Sequence, residues 1–348
     1  MLLLFHKMLT LTNLRGIKMQ KNITIKDVAK ISGYSTQTIS RVINSDPKVK
    51  AETREKILKV IEEYGYKPNF YAKSLVSKKN KNILILLKRK SGHKATIWTN
   101  TLVNEIILKN NKSDISILVE QYYKDEELEK SLINKTSTFI DGAIIFYEEK
   151  DDKRIKLLEK NNIPFIIFGK SYDEKNIYVS NDDFNSSFEA TNYLLEKQLR
   201  EIVFISADST PMNEQRVKGV VEAYRKNQID ERLLQIERGI NTSQDVKEIV
   251  KKYKNNLPQC FFVSGDEKAI VLMRELFNVG IKVPKNVKVM GFDNLPLSQY
   301  TIPSLTTVSM NYKELAEKLL TKLLNIMDNK PEISEEIESK LIIRESTI

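Results

Sequence analysis

From residue 81 onward the chain alternates short apolar runs with helical stretches, and this alternation narrows its fold more than any other feature. The runs are Ile83–Leu87, Ile115–Val119, Gly142–Phe146, Phe165–Phe168, Ile202–Ile205, Gln259–Val263 and Val287–Phe292. Each has the length and composition of a buried strand. Strands separated by helices build parallel sheets covered on both faces. Roughly 260 residues of this pattern exceed what one doubly wound sheet usually takes, so two α/β lobes are expected. Leu341-Ile342-Ile343-Arg344 reads as a last strand.

Residues 24–66 have a different period and read as three short helices. Thr24 caps a helix starting at Ile25, with Val28, Ala29 and Ile31 facing inward. Gly33 ends it, where a positive φ costs a glycine little. Ser35 caps a second helix, whose apolar residues Ile39, Val42 and Ile43 stand at helical spacing. Asn44-Ser45-Asp46-Pro47 is a loop. A third helix runs from about Ala51 to Tyr64, with Ile57, Leu58, Val60 and Ile61 on its buried side, and Gly65 stops it. Residues 67–80 form a linker with a short helical pattern. Two helices joined by a tight glycine turn place the second in the major groove of DNA. Thr36, Gln37 and Arg41 point outward from that helix; Gln can pair with adenine and Arg with guanine. Ser35, Thr38, Ser40 and Asn44 are short polar groups suited to phosphate oxygens. Taken alone, the segment also reads as an ordinary polar amphipathic helix.

The net charge of +10 sits at one end. Residues 1–20 carry a net +3, residues 21–80 a net +7, and residues 81–348 are neutral overall. A basic end on a neutral body suits a polyanion read by that end alone, although general lysine richness gives the same balance. The only cysteine is Cys260, so no disulfide framework exists and a reducing cytoplasm is expected. His6 and His93 are the only histidines, which leaves a His/Cys metal site or a Ser-His-Asp triad almost nothing to draw on. No catalytic residue, metal or cofactor is expected. No apolar run is long enough to span a membrane, and Met1–Phe5 is too short for a signal-peptide core. Residues 1–18 are expected to be an upstream extension or flexible arm, with Met19 as the working start.

The stretch Tyr66-Lys67-Pro68-Asn69-Phe70-Tyr71-Ala72-Lys73-Ser74-Leu75 completes an ordered set with Thr24–Ala29, Ser35–Asn44, Glu52–Glu55 and Tyr64–Asn69. In these residues the chain closely resembles the lac-repressor/gal-repressor family of bacterial transcription regulators. The resemblance implies a hinge helix from Asn69 to about Ser77, entered through Pro68, with Leu75 as a wedge between bases at the operator centre. So short a helix does not stand alone in water and would fold only when two copies meet on DNA. Thr24, Thr53, Tyr66, Asn69 and Ala72 join the DNA-facing set by the same match.

The resemblance continues, more loosely, through Ile163–Ile167, Val179–Asp182, Gln215–Gly219, Ile281–Pro284, Val289–Asn294 and Pro303–Val308. It implies an all-α helix-turn-helix domain followed by an α/β body of two lobes like periplasmic sugar-binding proteins, with an effector cleft between the lobes. The division is 1–21 flexible extension, 22–67 helix-turn-helix domain, 68–80 hinge helix and linker, and 81–348 effector-binding and dimerisation domain. By carry-over Arg216, Asp266 and Asp293 face the cleft, where a guanidinium and a carboxylate bind sugar hydroxyls as donor and acceptor. Structural ion pairs are the alternative for both Arg216 and Asp293. Trp98 either stacks on a sugar ring or packs in the core.

Two positions depart from the family. Gly265-Asp266 stands where the family often has Asn-Asp, and His93–Asn100 replaces its usual Asn-Pro-Phe-Phe stretch. Lys88, Arg89 and Lys90 near that wall would tolerate a phosphate but also read as a solvated charge run. The expected function is a dimeric, sequence-specific repressor of a sugar-utilisation operon. It would bind near-palindromic double-stranded operator DNA and respond to a sugar or sugar phosphate. A body that answers to a partner protein or activates transcription is the second reading. An enzyme with a DNA-binding appendage is disfavoured by the near absence of His and Cys and the lack of a phosphate-cradling glycine motif.

Overall fold

Thr24 opens the first helix with a capping box. Its side chain accepts the Asp27 N–H, and the Asp27 carboxylate accepts the Thr24 N–H. In the computed structural model this helix, α1, spans Ile25–Ser32, followed by α2 at Thr36–Ile43 and α3 at Ala51–Glu63. The structure describes residues 23–43, 46–66, 81–88, 97–110, 114–123, 125–135 and 139–348. The chain divides into two units, residues 1–79 and 80–348. The expected extension at 1–21, the hinge at 68–80, and Asn44, Asn69, Ala72 and Leu75 lie outside the described residues.

Gly33 closes α1 at φ 74°, and its N–H donates to the Ala29 carbonyl, which is the left-handed cap expected of a glycine there. Val28, Ile39, Val42, Ile57 and Tyr66 form the core of this first unit. Two residues expected inside it are exposed, Ile31 at 43% and Leu58 at 47%. Leu58 stands one residue, about 100° of helix, from buried Ile57, and Ile31 three residues, about 60° around the helix, from buried Val28. In so small a unit only one narrow stripe per helix reaches the centre.

The second unit holds two six-stranded sheets. The first contains β1 (Lys81–Lys88), β2 (Ile115–Tyr122), β3 (Gly142–Phe146), β4 (Phe165–Phe168) and β5 (Tyr178–Asn181). Helices α4 (Ile97–Lys109), α5 (Leu132–Lys135) and α6 (Lys153–Lys160) lie among them. The second lobe begins with α7 (Asp183–Glu196), β6 (Ile202–Ile205) and α8 (Pro211–Lys226). It continues through β7 (Leu234–Glu237), α9 (Ser243–Tyr253), β8 (Cys260–Val263), α10 (Asp266–Asn278), β9 (Lys288–Asp293) and β10 (Thr306–Ser309). The chain then returns to the first lobe with α11 (Tyr312–Met327) and β11 (Glu335–Ile337), and ends in the second with β12 (Lys340–Ile342). The strand orders are β11-β5-β4-β3-β1-β2 and β12-β10-β9-β8-β6-β7. All pairings are parallel except β10 with β12. Three crossings, near residues 182, 310 and 338, therefore join the lobes.

All seven apolar runs are strands. The four strands not anticipated, β5, β7, β10 and β11, are short and half polar, and all four form or neighbour sheet edges. Gly219 in α8 packs so closely on α7 that a Cβ would stand 2.2 Å from the Phe184 carbonyl oxygen.

Candidate DNA interface and ligand cleft

In the first unit, α2 buries Ile39 and Val42 and turns Ser35, Thr36, Gln37 and Arg41 to solvent. The glycine turn sets the start of this helix. The Ser35 hydroxyl accepts the Thr38 N–H at 3.1 Å and lies 2.9 Å from the Thr38 hydroxyl. Arg54 of α3 donates to the Asp46 carbonyl at 2.6 Å and holds the loop that follows α2. Arg41 keeps only a loose 3.9 Å contact with Asp46. The solvent face thus carries Gln and Arg forks beside small hydroxyls, the side chains that suit base edges and phosphates. Of the remaining expected contacts, Thr24 is exposed and committed to its capping box, and Thr53, Thr38 and Ser40 are half-buried. Tyr66 is placed differently: its ring belongs to the core at 9% exposure. The expected DNA contact by this ring is corrected to a packing role.

In the second unit a cleft of about 450 Å³ opens between the lobes, within the range of small-molecule sites. Arg216 of α8 enters it from the second lobe, fixed on three sides. Its Nε donates to Asp183 Oδ1 at 2.7 Å and its Nη1 to the Ser264 hydroxyl at 3.0 Å. Its guanidinium lies 3.7 Å from the centre of the Phe292 ring. No partner among the described residues takes Nη2. The ion pair with Asp183 holds Arg216 and aims it into the cleft.

Asp293 ends β9 at φ 116°, and Asn294 follows at φ 52°. Two successive positive angles on residues with a Cβ are strained, and such strain gathers at ligand sites. The Asp293 carboxylate is 6% exposed, lines the cleft and accepts no hydrogen bond from the described residues. Burial, above all, raises its pKa far above the usual carboxylate range, although Arg216 opposes the shift.

Asp266 does not join them. Its carboxylate is fully buried and accepts the Leu295 N–H at 2.9 Å, the Ser298 hydroxyl at 2.5 Å and the Thr307 hydroxyl at 2.6 Å. A Cβ on Gly291 would lie 2.1 Å from its Oδ1. Its expected place in the effector site is corrected: it ties α10 to the loop after β9 and to β10. Gly265, at φ 140°, caps α10 with no side chain.

The first lobe supplies an aromatic wall. Trp98 meets Tyr147 edge-on at 4.7 Å and packs 5.7 Å from Phe168. It is 8% exposed and borders the cleft, so it serves both core and wall. Lys88 pairs with Glu149 at 2.5 Å on the rim, while Arg89 and Lys90 lie outside the described residues. Two features escaped the sequence reading. Asn181, on the first crossing, borders the cleft with a buried side-chain oxygen that has no hydrogen-bond partner among the described residues. Arg154 is fully buried, pairs with Asp152, and donates to the carbonyls of Leu86, Phe146 and Tyr147, pinning the strand ends beneath Trp98. Only the Val179–Asp182 match hinted at Asn181; nothing in the pattern marked Arg154.

No helix among the described residues is long and apolar enough to cross a membrane. A family model described as "Bacterial regulatory proteins, lacI family" matches residues 24–69, and one for a periplasmic binding protein-like domain matches residues 191–347. Catabolite control protein A of Priestia megaterium is 30% identical over 314 residues, which cover 87% of this chain and 93% of that protein. The probable HTH-type transcriptional repressor ExuR of Bacillus subtilis (strain 168) is 27% identical over 335 residues, 93% of this chain and 98% of that one. Among solved structures, the lac repressor dimer bound to operator and the anti-inducer ONPF superposes with a TM-score of 0.81 at 23% identity, covering 94% of this chain and all of that one. Its helical head, its two-lobed body and relatives alike along nearly their whole length place this chain in the lacI family of bacterial regulatory proteins, as a DNA-binding regulator of transcription.

Proposed function

We propose that the protein is a homodimeric, cytoplasmic repressor of a sugar-utilisation operon whose grip on a near-palindromic operator is tuned by a small sugar bound between the lobes. Residues 22–67 read the DNA, residues 68–80 form a hinge that orders on it, and residues 81–348 bind effector and partner. Thr36, Gln37 and Arg41 read base edges, Ser35, Thr38, Ser40, Asn44, Thr53 and Thr24 face phosphates, and Asn69, Ala72 and Leu75 enter at the hinge. Arg216 and Asp293 hold the effector's hydroxyls while Trp98 packs on its ring.

One observation carries this reading. A buried, strained carboxylate with no hydrogen-bond partner among the described residues stands with a pre-aimed guanidinium on the second-lobe side of a cleft whose first-lobe wall is aromatic. Together they offer an acceptor, a donor and an apolar face, which is what a sugar ring needs. The relatives named above carry regulator names, and the solved lac repressor was captured with both operator and a small anti-inducer.

Calorimetric titration with a panel of monosaccharides tests the cleft: binding near micromolar that Asp293→Ala abolishes is expected. Silence across the panel favours a body controlled by a partner protein. Leu75→Ala tests the hinge, because a wedge acts only on the specific site. It is expected to weaken operator binding more than binding to unrelated DNA; equal losses on both remove the hinge assignment.

A further inference from the structure

Helix α4 begins at Ile97 in the first lobe, and α10 begins at Asp266 in the second. One carboxylate serves both starts. Glu267, in the first turn of α10, accepts the Ile97 N–H at 2.5 Å, across the lobes and 170 positions away in sequence. The N–H groups that open a helix need acceptors, and the positive end of the helix dipole favours a carboxylate there. The first turn of α4 holds no acidic residue of its own; its carboxylate comes from the other lobe. The same charge suits α10, because Glu267 also lies at that helix's positive end. A negative group between two positive helix ends, with a charge-assisted hydrogen bond to one of them, draws the lobes together.

The neighbours of Glu267 leave this task to it. Gly265 caps α10 without a side chain, and Asp266 turns inward to Leu295, Ser298 and Thr307. On the first-lobe side the residue after Ile97 is Trp98, whose ring packs on Tyr147 and Phe168. Trp98 and Glu267 both border the cleft. The three crossings near residues 182, 310 and 338 are short segments about which two lobes can hinge. The Glu267 contact lies on none of them, so it exists only while the lobes stand together.

We infer that Glu267 is an inter-lobe latch: by holding the start of α4 across the cleft, it keeps the lobes together and Trp98 in place as the cleft wall. It is a positioning residue that acts through α4, whatever ligand the cleft takes. The test uses the full chain without ligand. Spin labels at Lys160→Cys in the first lobe and Lys247→Cys in the second, both exposed positions, report the separation of the lobes, while Cys260 is buried. Trp98 is the only tryptophan, so its emission reports the wall without a label. Glu267→Ala is expected to raise a second population of interspin distances on the order of tenfold, as suits the loss of one hydrogen bond to a charged group, and to shift Trp98 emission to the red. Ile97→Pro removes the N–H from the other side, at a helix position that proline suits, and is expected to do the same. Should one variant fold poorly, the other reads the same contact. The two substitutions together are expected to do no more than either alone. Glu267→Gln, which keeps an acceptor oxygen, is expected to change both readouts less than Glu267→Ala. Distances unchanged in Glu267→Ala, or a double variant whose changes are the sum of the singles', overturn the latch and leave the sugar reading of the cleft standing.

Discussion

Asp293 is the residue at which function and stability pull in opposite directions. Its carboxyl is held far above the ordinary carboxylate range by burial, with Asp266 and Glu267 adding to the shift and Arg216 and Lys268 opposing it. The sign follows from linkage. The folded chain keeps this proton where the unfolded chain has lost it, so the protonated form's contribution to stability is complete below about pH 4 and declines as pH rises. Asp293→Asn removes the ionisable group and keeps its size. In the ligand-free protein it is expected to raise stability on the order of 1 kcal/mol near neutral pH, with the gain shrinking toward pH 4, while sugar binding weakens. Thermal unfolding at several pH values checks this; a gain independent of pH removes the electrostatic explanation. Arg154 is the opposite case, a buried guanidinium whose three carbonyl acceptors and Asp152 pair are fully inside. Arg154→Ala leaves Asp152 buried without its counter-ion and is expected to cost about 3–5 kcal/mol, read as a lower denaturant midpoint. A midpoint unchanged within error contradicts the clamp role.

Among the elements, the strands divide by how much of their burial is written in their own residues. Runs such as Gly142–Phe146 are apolar throughout because helices cover both faces, and they are legible at once. β5 ends in Ser180 and Asn181, and β10 is Thr306-Thr307-Val308-Ser309. In β10 the buried threonines find partners: the Thr306 hydroxyl meets Thr347 at 2.7 Å and the Thr307 hydroxyl donates to Asp266. Such partners come from distant segments, so no local period announces them. The same holds in the site. The cleft-lining positions of Arg216 and Asp293 were legible through matched motifs and that of Trp98 because it is the only tryptophan, whereas Asp266, equally well matched, turns inward because Gly291 makes room for its carboxylate. Tyr66 packs where a surface contact was expected, since a three-helix unit needs a lid for its small core. Helix packing also yields a test. Gly219→Ala would drive a methyl into the Phe184 carbonyl between α7 and α8, and an overpacked contact costs typically about 1–3 kcal/mol. A matching fall in melting temperature is expected, together with weaker ligand binding as Arg216 shifts on the same helix. For α2, Gln37→Ala is expected to cost about 1–3 kcal/mol at the operator and relax the preference at one base-pair position. Selection of bound sequences from a random pool reads this out; an unchanged consensus removes Gln37 from the base-reading set.

At the scale of the whole molecule, the charge asymmetry and the two-unit division point the same way. A neutral body carries a basic head whose short linker, residues 68–80, holds no acid. Binding that depends on phosphate contacts from that head falls steeply with salt. Raising salt from about 50 to 200 mM is therefore expected to weaken operator binding by on the order of 10³-fold or more, in line with six or more phosphate contacts. The measurement that tests the central claim most directly is a nuclease footprint of the full chain across the DNA flanking its own gene. The expected result is protection of one short, two-fold symmetric site at concentrations that leave the rest open, lost with Gln37→Ala and Arg41→Ala combined. Uniform protection of the whole fragment, or a footprint indifferent to those two residues, contradicts the account.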